Sequence, residues 1–516
     1  MKKDKELAIK TPLKRIAKSS LIVFLGIFIS KFLAYFYRII IARSFGPEEY
    51  GLYSLAIMVV GLFAALAGLG LSEGILRFIA VFRAKKEQSK IKHVFGLSLK
   101  ICFATSIMAG IILFFFAEPI SLSIFKNAGL TLYLQILSLV LPFSVLSGIL
   151  LSTIRAYEKV NWYIIIYYIL LNVINFITLL LFLSLNLGRT AIILSYFAGI
   201  FFIFISSFFV LRKYSKEVFG KSSLPREEQK KTFREIVKYS WPLIALNLSS
   251  YLLTWIDSFS IGIYNGAYDV GIYNVAVPIA GLFVIPSMLF SQLFFPIIVR
   301  EIERKNHNVV ENLSKQVSKW ILMLNLPFLG IVLFFPGAII NLLFGAKYLG
   351  AENALRMLAI GTFIFQQAAV SKEALYALGK SKKILYNFLF ASILNLVLNL
   401  LLVPKYGING AAFSTMLCYI VLAGLYGFQV FRELSVIPLR RKMLTIILIN
   451  FIPLIALFFV RKIVEITPLS LILITISFVL VYILLIFLTK SFDHFDYEII
   501  RSFYEKSFSF LRRSKK

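Results

Sequence analysis

Two cysteines among 516 residues leave no material for a disulfide framework or a thiolate metal site, and both, Cys102 and Cys418, lie inside apolar stretches. The three histidines, His93, His307 and His494, all fall outside those stretches and form no His-Glu-x-x-His pattern. No Gly-x-Ser-x-Gly elbow occurs. The Gly-Lys-Ser at 379–381 has Ala374 where a phosphate-binding Walker loop needs glycine. Long polar segments are missing as well: no connection between apolar stretches exceeds about 25 residues, which leaves no room for a soluble domain. These absences argue against an enzyme, a metal centre and ATP hydrolysis on the chain. No cofactor is expected, and with no ATP site any energy would come from elsewhere, such as an Na+ or H+ gradient.

Acidic residues are also scarce, 25 against 55 lysines and arginines, for a net charge of +30. A basic nucleic-acid binder clusters such charge on one water-exposed face. Here the charge is divided among short pieces between apolar stretches, so nucleic acid is excluded as a partner. What is abundant is apolar sequence, 59% of the chain. Some fourteen stretches of about 18–29 residues each match the roughly 30 Å hydrocarbon layer. The odd-numbered connections hold only Arg43, Lys126, Arg189, Lys347, Lys405, Arg461 and Lys462. The two ends and the even-numbered connections hold most of the rest, so the positive-inside rule predicts a multi-pass plasma-membrane protein with both termini cytoplasmic. Some attraction to anionic inner-leaflet lipids is also expected. The first stretch is too long, and lacks the small-residue cleavage pattern, for a signal peptide; it reads as an uncleaved helix.

Repeats sort the stretches further. Gly46, Gly51, Tyr53 and Ala56 recur at an offset of 220 as Gly266, Gly271, Tyr273 and Ala276. Ala156 to Lys159 is echoed by Ala377 to Lys380, and Asn172 by Asn395. The unit therefore holds six helices, and an even number makes the two copies parallel. The predicted fold is all-α and polytopic: a six-helix lobe over 1–211, a basic linker over 212–235, a second lobe over 236–431, an appended helix pair over 432–489, and a basic tail over 490–516.

Ionisable groups inside spans are costly near mid-membrane, about 2.5–3.5 kcal/mol each, and face a protein or water interior. Lys31 sits mid-way along span 1, and Arg38 follows seven residues on, which returns it to the same helix face with Tyr35 between. No acid on that helix is within reach. Glu73 and Arg77 on span 2 are spaced to pair with each other. Arg356 and the pair Lys372 and Glu373 lie on span 10, and Asp257 on span 7. Lys100 near the end of span 3 reads as snorkelling to the headgroups. The repeat offers an internal control: 220 positions from Lys31 and Arg38 stand Tyr251 and Ser258, and from Asp257, Tyr37. The fold does not itself demand those charges. A basic cavity in one lobe suits an anion, with an arginine fork and a lysine point charge serving a phosphate. Asn247, Gln366, Gln367, Asn395 and Asn399 could line a sugar site or simply bond between helices. Gly61, Gly68, Gly70 and Gly74 permit close helix packing.

The run Ala42-Arg43-Ser44-Phe45-Gly46-Pro47-Glu48-Glu49-Tyr50-Gly51-Leu52-Tyr53 and the following Gly68-Leu69-Gly70-Leu71-Ser72-Glu73-Gly74-Ile75-Leu76-Arg77 resemble the polysaccharide biosynthesis, or O-antigen flippase (Wzx-like), family. That family belongs to the multidrug/oligosaccharidyl-lipid/polysaccharide (MOP) exporter superfamily. The resemblance spans essentially the whole chain and carries Gly46, Tyr50, Gly51 and Tyr53 as its motif. It implies translocation of a lipid-linked oligosaccharide, on a polyprenyl or dolichyl (pyro)phosphate, from the inner to the outer leaflet. It also implies a cationic cavity that Lys31, Arg38, Arg77 and Arg356 would supply, lined besides by Tyr35, Asn247, Asp257, Gln366 and Asn395. Glycosyltransferases or a polymerase of the same pathway would be partners. The competing reading is a cation-coupled multidrug antiporter of the same superfamily, which would use Asp257. The flippase reading expects Asp257→Asn to matter less than loss of either span 1 cation.

Overall fold

Gly46 turns the first apolar run back on itself. Its backbone, at φ 81° and ψ −179°, lies where residues with a Cβ are strained, and it joins two membrane spans inside one continuous run of helix, α1 (Lys2–Ala67). In this computed structural model, residues 2–220, 222–463, 467–489 and 491 are described. His494 and, apart from Ser491, the basic tail lie outside the described residues.

After α1, a break at Gly68 to Gly70 leads into α2 (Leu71–Ala84), and α3 (Gln88–Pro119) follows. The next span is α4 (Gly129–Ser138) with α5 (Leu141–Ala156), bent by 46°. Next, α6 (Val160–Ile164) runs through a π-helical stretch, Ile165–Leu170, into α7 (Leu171–Ser184), and α8 (Thr190–Tyr214) ends the first lobe. The second lobe comprises α9 (Arg226–Tyr264), α10 (Ala267–Gly281), α11 (Val284–Glu303), α12 (His307–Phe334), the short α13 (Pro336–Leu343), α14 (Glu352–Gln367), α15 (Ala369–Ala377) and α16 (Ser381–Leu434). Like α1, α16 carries two spans across a non-helical glycine, Gly407. The appended pair is α17 (Arg441–Ile463) and α18 (Pro468–Leu488), which pack on α12 through Leu322, Leu326, Met443, Ile446, Tyr482 and Ile486.

Among the described residues ten helices are long and apolar enough to cross a membrane, or eleven with α4–α5 as one span. Three places account for the difference from the fourteen predicted. The runs over α1 and α16 each count once although a glycine divides them, and α9, rich in serine and charge, is not among the ten. The expected linker is shorter than 212–235. Helix α9 begins at Arg226, just after Pro225, with Glu227 and Glu228 in the first turn complementing the helix dipole. The remaining segment is tied to α3 by a hydrogen bond of 2.7 Å between the Ser89 and Ser223 hydroxyls, and Val218 is buried.

The backbone repeats itself along with the sequence. Positive φ angles fall in pairs about 220 positions apart at five turns: Gly46 and Gly266, Lys86 and Lys305, Lys126 and Gly345, Glu158 and Gly379, Gly188 and Gly407. Connections 1, 3 and 5 of each lobe open on one face of the bundle, called here the odd face, and the others on the even face. Toward the odd face both lobes share one core, which unites Tyr50, Tyr53 and Leu134 with Val275, Ile340 and Ala354. Toward the even face the core divides: Ile75, Ile149 and Ile203 belong to a first-lobe cluster, while Ile298, Leu375 and Tyr426 belong to a second. The lobes thus share one core on the odd face; toward the even face their cores separate, although α9 still packs on the first lobe there through Ile236.

The junction depends on two glycines related by the repeat. A Cβ on Gly51 would overlap the carbonyl oxygen of Ala267, and one on Gly271 would overlap that of Pro47. Only hydrogen at both positions lets α1 and α10 cross so closely. Gly51→Ala and Gly271→Ala are each expected to cost about 1–3 kcal/mol by overpacking, read as a lower unfolding temperature of purified protein. Gly424→Ala, where a Cβ meets nothing within 4 Å, should leave it unchanged.

Candidate functional site: a cavity in the second lobe

Each lobe carries a polar cluster at the same place in the fold. In the first, the Tyr37 and Ser195 hydroxyls lie 2.9 Å apart, and the ring of Tyr53 stands edge-on to Tyr37 with centroids 6.2 Å apart. In the second, 220 positions on, stand Asp257, Thr415 and Tyr273. The Asp257 carboxylate accepts hydrogen bonds from the Tyr273 hydroxyl, from Thr415 Oγ1 at 2.6 Å and from Asn399 Nδ2 at 2.9 Å. Asn395 supports the set by donating to Thr415 Oγ1 at 3.0 Å. The second lobe therefore places a buried carboxylate where the first has a phenol. Three donors offset part of the desolvation of that group. Asp257→Asn would turn an amide N–H toward donors, so it is expected to lower stability by about 1–3 kcal/mol, measured by thermal unfolding.

Asp257 lies on the wall of a cavity of about 820 Å³ lined by α9, α10, α11, α14, α15 and α16. This is within the size range of ligand pockets. The Lys372 ammonium and Glu373 carboxylate, 3.7 Å apart, also line it. Gly281, another wall residue, would place a Cβ 3.5 Å from the Tyr35 hydroxyl of span 1. The Tyr35 hydroxyl of span 1 thus comes near the cavity wall, while Lys31, Tyr35 and Arg38 are not themselves among the residues that line it. On the same helix Gly26, Ser30, Tyr37 and Ile41 are buried; Ser30 Oγ accepts from Asn172 at 3.0 Å, Tyr37 meets Ser195, and Gly26 meets Ile164. Phe28, Phe32 and Phe36 lie exposed. At 100° per residue the Lys31–Tyr35–Arg38 flank falls between the buried face and the exposed phenylalanines.

Lys31 is exposed and Arg38 half-buried. Arg38 lies near the hydroxyls of Tyr35, Tyr50 and Tyr53. Among the described residues no carboxylate lies within ion-pair distance of either. Two like charges about two helical turns apart on one flank, with no counter-charge among the described residues, suit an anion.

Arg77 and Arg356 do not join them. Arg77 lies over the ring of Tyr239, 4.2 Å from its centroid, at the even-face end of a seam between the second span and α9. That seam closes through Gly61 against Tyr251 and through Gly70 and Gly74 against Ser240. Glu73 reaches Arg155 at 4.0 Å instead of Arg77, since the arginine is drawn across to the other lobe. Arg356 pairs with Glu352 at 3.5 Å and Asn353 at 2.7 Å, on the first turns of α14 toward the odd face. Of the amides, Gln366 lines the cavity, Asn395 and Asn399 are buried behind Asp257, and Asn247 is exposed and absent from the wall. Gln367 is absent from it too. The motif residues serve the junction: Gly46 makes the turn, Gly51 the crossing, and the Tyr50 hydroxyl donates to the Asn274 carbonyl at 3.3 Å. Tyr53 lies against Tyr37 and Tyr196.

Arg43 was not singled out by the sequence, yet it fastens the lobes on the odd face. Its Nε donates to the Leu343 carbonyl at 2.9 Å and its Nη2 to that of Leu342 at 2.5 Å, at the carbonyl end of α13. The Tyr348 hydroxyl donates back to the Ala42 carbonyl at 2.9 Å. Among the described residues no group of three or more His, Cys, Asp or Glu side chains is placed to hold a metal ion.

The profile of the polysaccharide biosynthesis protein family matches residues 16–300, and the MatE profile matches 242–401. An uncharacterized membrane protein of Methanocaldococcus jannaschii is 24% identical over 93% of this chain and 96% of its own. The "Putative O-antigen transporter" of Shigella flexneri is 26% identical over 72% of this chain and 88% of its own. Among solved structures, the lipid II flippase MurJ in an inward closed conformation superposes with a TM-score of 0.71 at 20% identity, covering 90% of this chain and 98% of that one. At that identity the likeness speaks to the fold alone.

Proposed function

The chain belongs to the polysaccharide biosynthesis protein family, and from that premise we propose that it is a multi-pass transporter that carries a lipid-linked oligosaccharide from the cytoplasmic to the outer leaflet by alternating access. One observation carries the reading: Lys31 and Arg38 flank Tyr35, whose hydroxyl approaches the cavity wall at Gly281, and no described carboxylate neutralises them. A phosphate or diphosphate headgroup supplies the missing charge, with bidentate geometry for arginine and a point charge for lysine. The lipid tail stays in the bilayer beside the exposed Phe28, Phe32 and Phe36. A core shared on the odd face holds the lobes together away from the cytoplasm, while on the even face α2 and α9 meet through Arg77 and Tyr239. The charge sorting of the connections points the even face, and both termini, to the cytoplasm.

The test is transport in reconstituted vesicles. A polyprenyl-diphosphate oligosaccharide in the outer monolayer should become inaccessible to an added glycosidase with wild-type protein and not with the Lys31→Ala, Arg38→Ala double variant. Equal rates for the two would remove the reading.

Asp257 favours a second element, coupling to Na+ or H+, because it is a carboxylate on the cavity wall. Asp257→Asn is expected to keep transport down a substrate gradient and to lose any acceleration by an imposed Na+ or pH gradient. A full gradient response in that variant would dismiss coupling at this residue.

A further inference from the structure

The second-lobe wall is chemically unlike the span 1 flank. Its charges are already committed: Asp257 to Tyr273, Thr415 and Asn399, and Lys372 to Glu373. What remains for a ligand is neutral. Gln366 and Thr362 are each only 7% exposed and line the cavity. The Gln366 carbonyl oxygen accepts from the Ser287 hydroxyl, which fixes the amide and leaves its N–H groups with no protein acceptor. The hydroxyls of Thr362 and Ser291 have no hydrogen-bond partner among the described residues. Beside them Phe365 and Tyr419 stack, with ring centroids 4.9 Å apart and planes 14° apart, and both line the cavity. Facing the cavity and unbonded to protein, these polar groups are open to hydrogen bonds from a ligand. Free amide and hydroxyl groups beside an aromatic face match a sugar, whose hydroxyls exchange hydrogen bonds and whose C–H face suits the negative face of a ring.

We propose that this cavity is a sugar site that takes an uncharged sugar of the transported glycan, stacked on the Phe365–Tyr419 pair and hydrogen-bonded by Gln366, Thr362 and Ser291. The first lobe then holds the phosphate and the second holds the sugar next to it. The proposal rests on reading Lys31 and Arg38 as the phosphate clasp, since Tyr35, between them, meets the cavity wall at Gly281. A uronic acid or sulfated sugar is disfavoured here: its charge would approach Asp257 with no free cation on the wall.

Affinity measurements on purified protein in nanodiscs test this with three probes: farnesyl phosphate, farnesyl-phosphoryl glucose and farnesyl-phosphoryl glucuronate. In the wild type, glucose should tighten binding by roughly three- to tenfold, the range of one or two added neutral hydrogen bonds, and glucuronate should not. Gln366→Ala and Tyr419→Ala should each bring the glucose probe back to the affinity of farnesyl phosphate, which itself stays unchanged. Tyr419→Phe keeps the ring and should retain the gain. Thr362→Val, which removes a hydroxyl that bonds nothing in the protein, should reduce the gain even if the larger truncations unfold. The proposal is overturned if glucose adds nothing in the wild type, if glucuronate gains as much, or if the gain survives in Gln366→Ala, Tyr419→Ala and Thr362→Val. Failure of the underlying phosphate reading shows separately, as farnesyl phosphate affinity that does not change in Lys31→Ala or Arg38→Ala.

Discussion

Lys31→Ala and Arg38→Ala proteins are expected to reach the membrane in normal amounts and to export no glycan. Neither side chain makes an ion pair with a described carboxylate, so its removal leaves no buried acid stranded, and insertion becomes easier by the cost of a charge at mid-depth. What is lost is the counter-charge for the headgroup. A hydrogen bond to a charged group is worth about 1.5–3 kcal/mol, so each variant should weaken headgroup binding by roughly ten- to a hundredfold. Arg38→Lys should recover only part of the activity, because an ammonium cannot reproduce the two-pronged contact of a guanidinium on a phosphate. Arg77→Ala and Arg356→Ala serve as controls. Their charges are engaged by Tyr239 and by Glu352, away from the cavity, and their loss should reduce export far less. Quantifying surface glycan against membrane-inserted protein in a flippase-null host checks all five variants. Normal export by both Lys31→Ala and Arg38→Ala would defeat the clasp.

The second large effect concerns the odd face. If transport requires the lobes to part there, tying Arg43 to Leu343 must stop it. An Arg43→Cys, Leu343→Cys protein, bridged by a short bifunctional thiol reagent, is expected to lose export completely and to regain it when the bridge is a cleavable one that is then reduced. The native Cys102 and Cys418 are buried and should not interfere. Unbridged, the pair still lacks the arginine contacts to the Leu342 and Leu343 carbonyls. Its odd face should then be more open, seen as faster thiol labelling at Tyr348→Cys, whose hydroxyl normally bonds Ala42. Undiminished export by the bridged protein would mean that the odd face does not open during transport. A two-state mechanism of this kind needs both states to be visited, and a covalent tie removes one of them.

Much of the scaffold was legible because its signals are local. A glycine at Gly46 or Gly266 declares a turn by its own backbone freedom, and the offset between the two declares a repeat. The same offset, extended from Tyr37 and Asp257 to Ser195 and Thr415, would have located the matched polar clusters. The span 1 cations were legible because a charge in an apolar stretch stands out. The cavity wall was not: Gln366, Thr362, Ser291 and Tyr419 come from three separate helices, and none departs from an ordinary membrane composition. Arg77 misled for a related reason. Glu73 is correctly spaced to pair with it along the helix, but a ring from the other lobe, Tyr239, takes the guanidinium first. Arg43 looked like one more basic residue in a connection, and only the approach of α13 gives it carbonyls to hold.

Binding of farnesyl phosphate to purified protein, compared at equal salt between the wild type and the Lys31→Ala and Arg38→Ala variants, bears most directly on the anion clasp. The account predicts an affinity at least about tenfold weaker in each variant, with unchanged thermal unfolding in the absence of ligand. Equal affinity in all three proteins would contradict it.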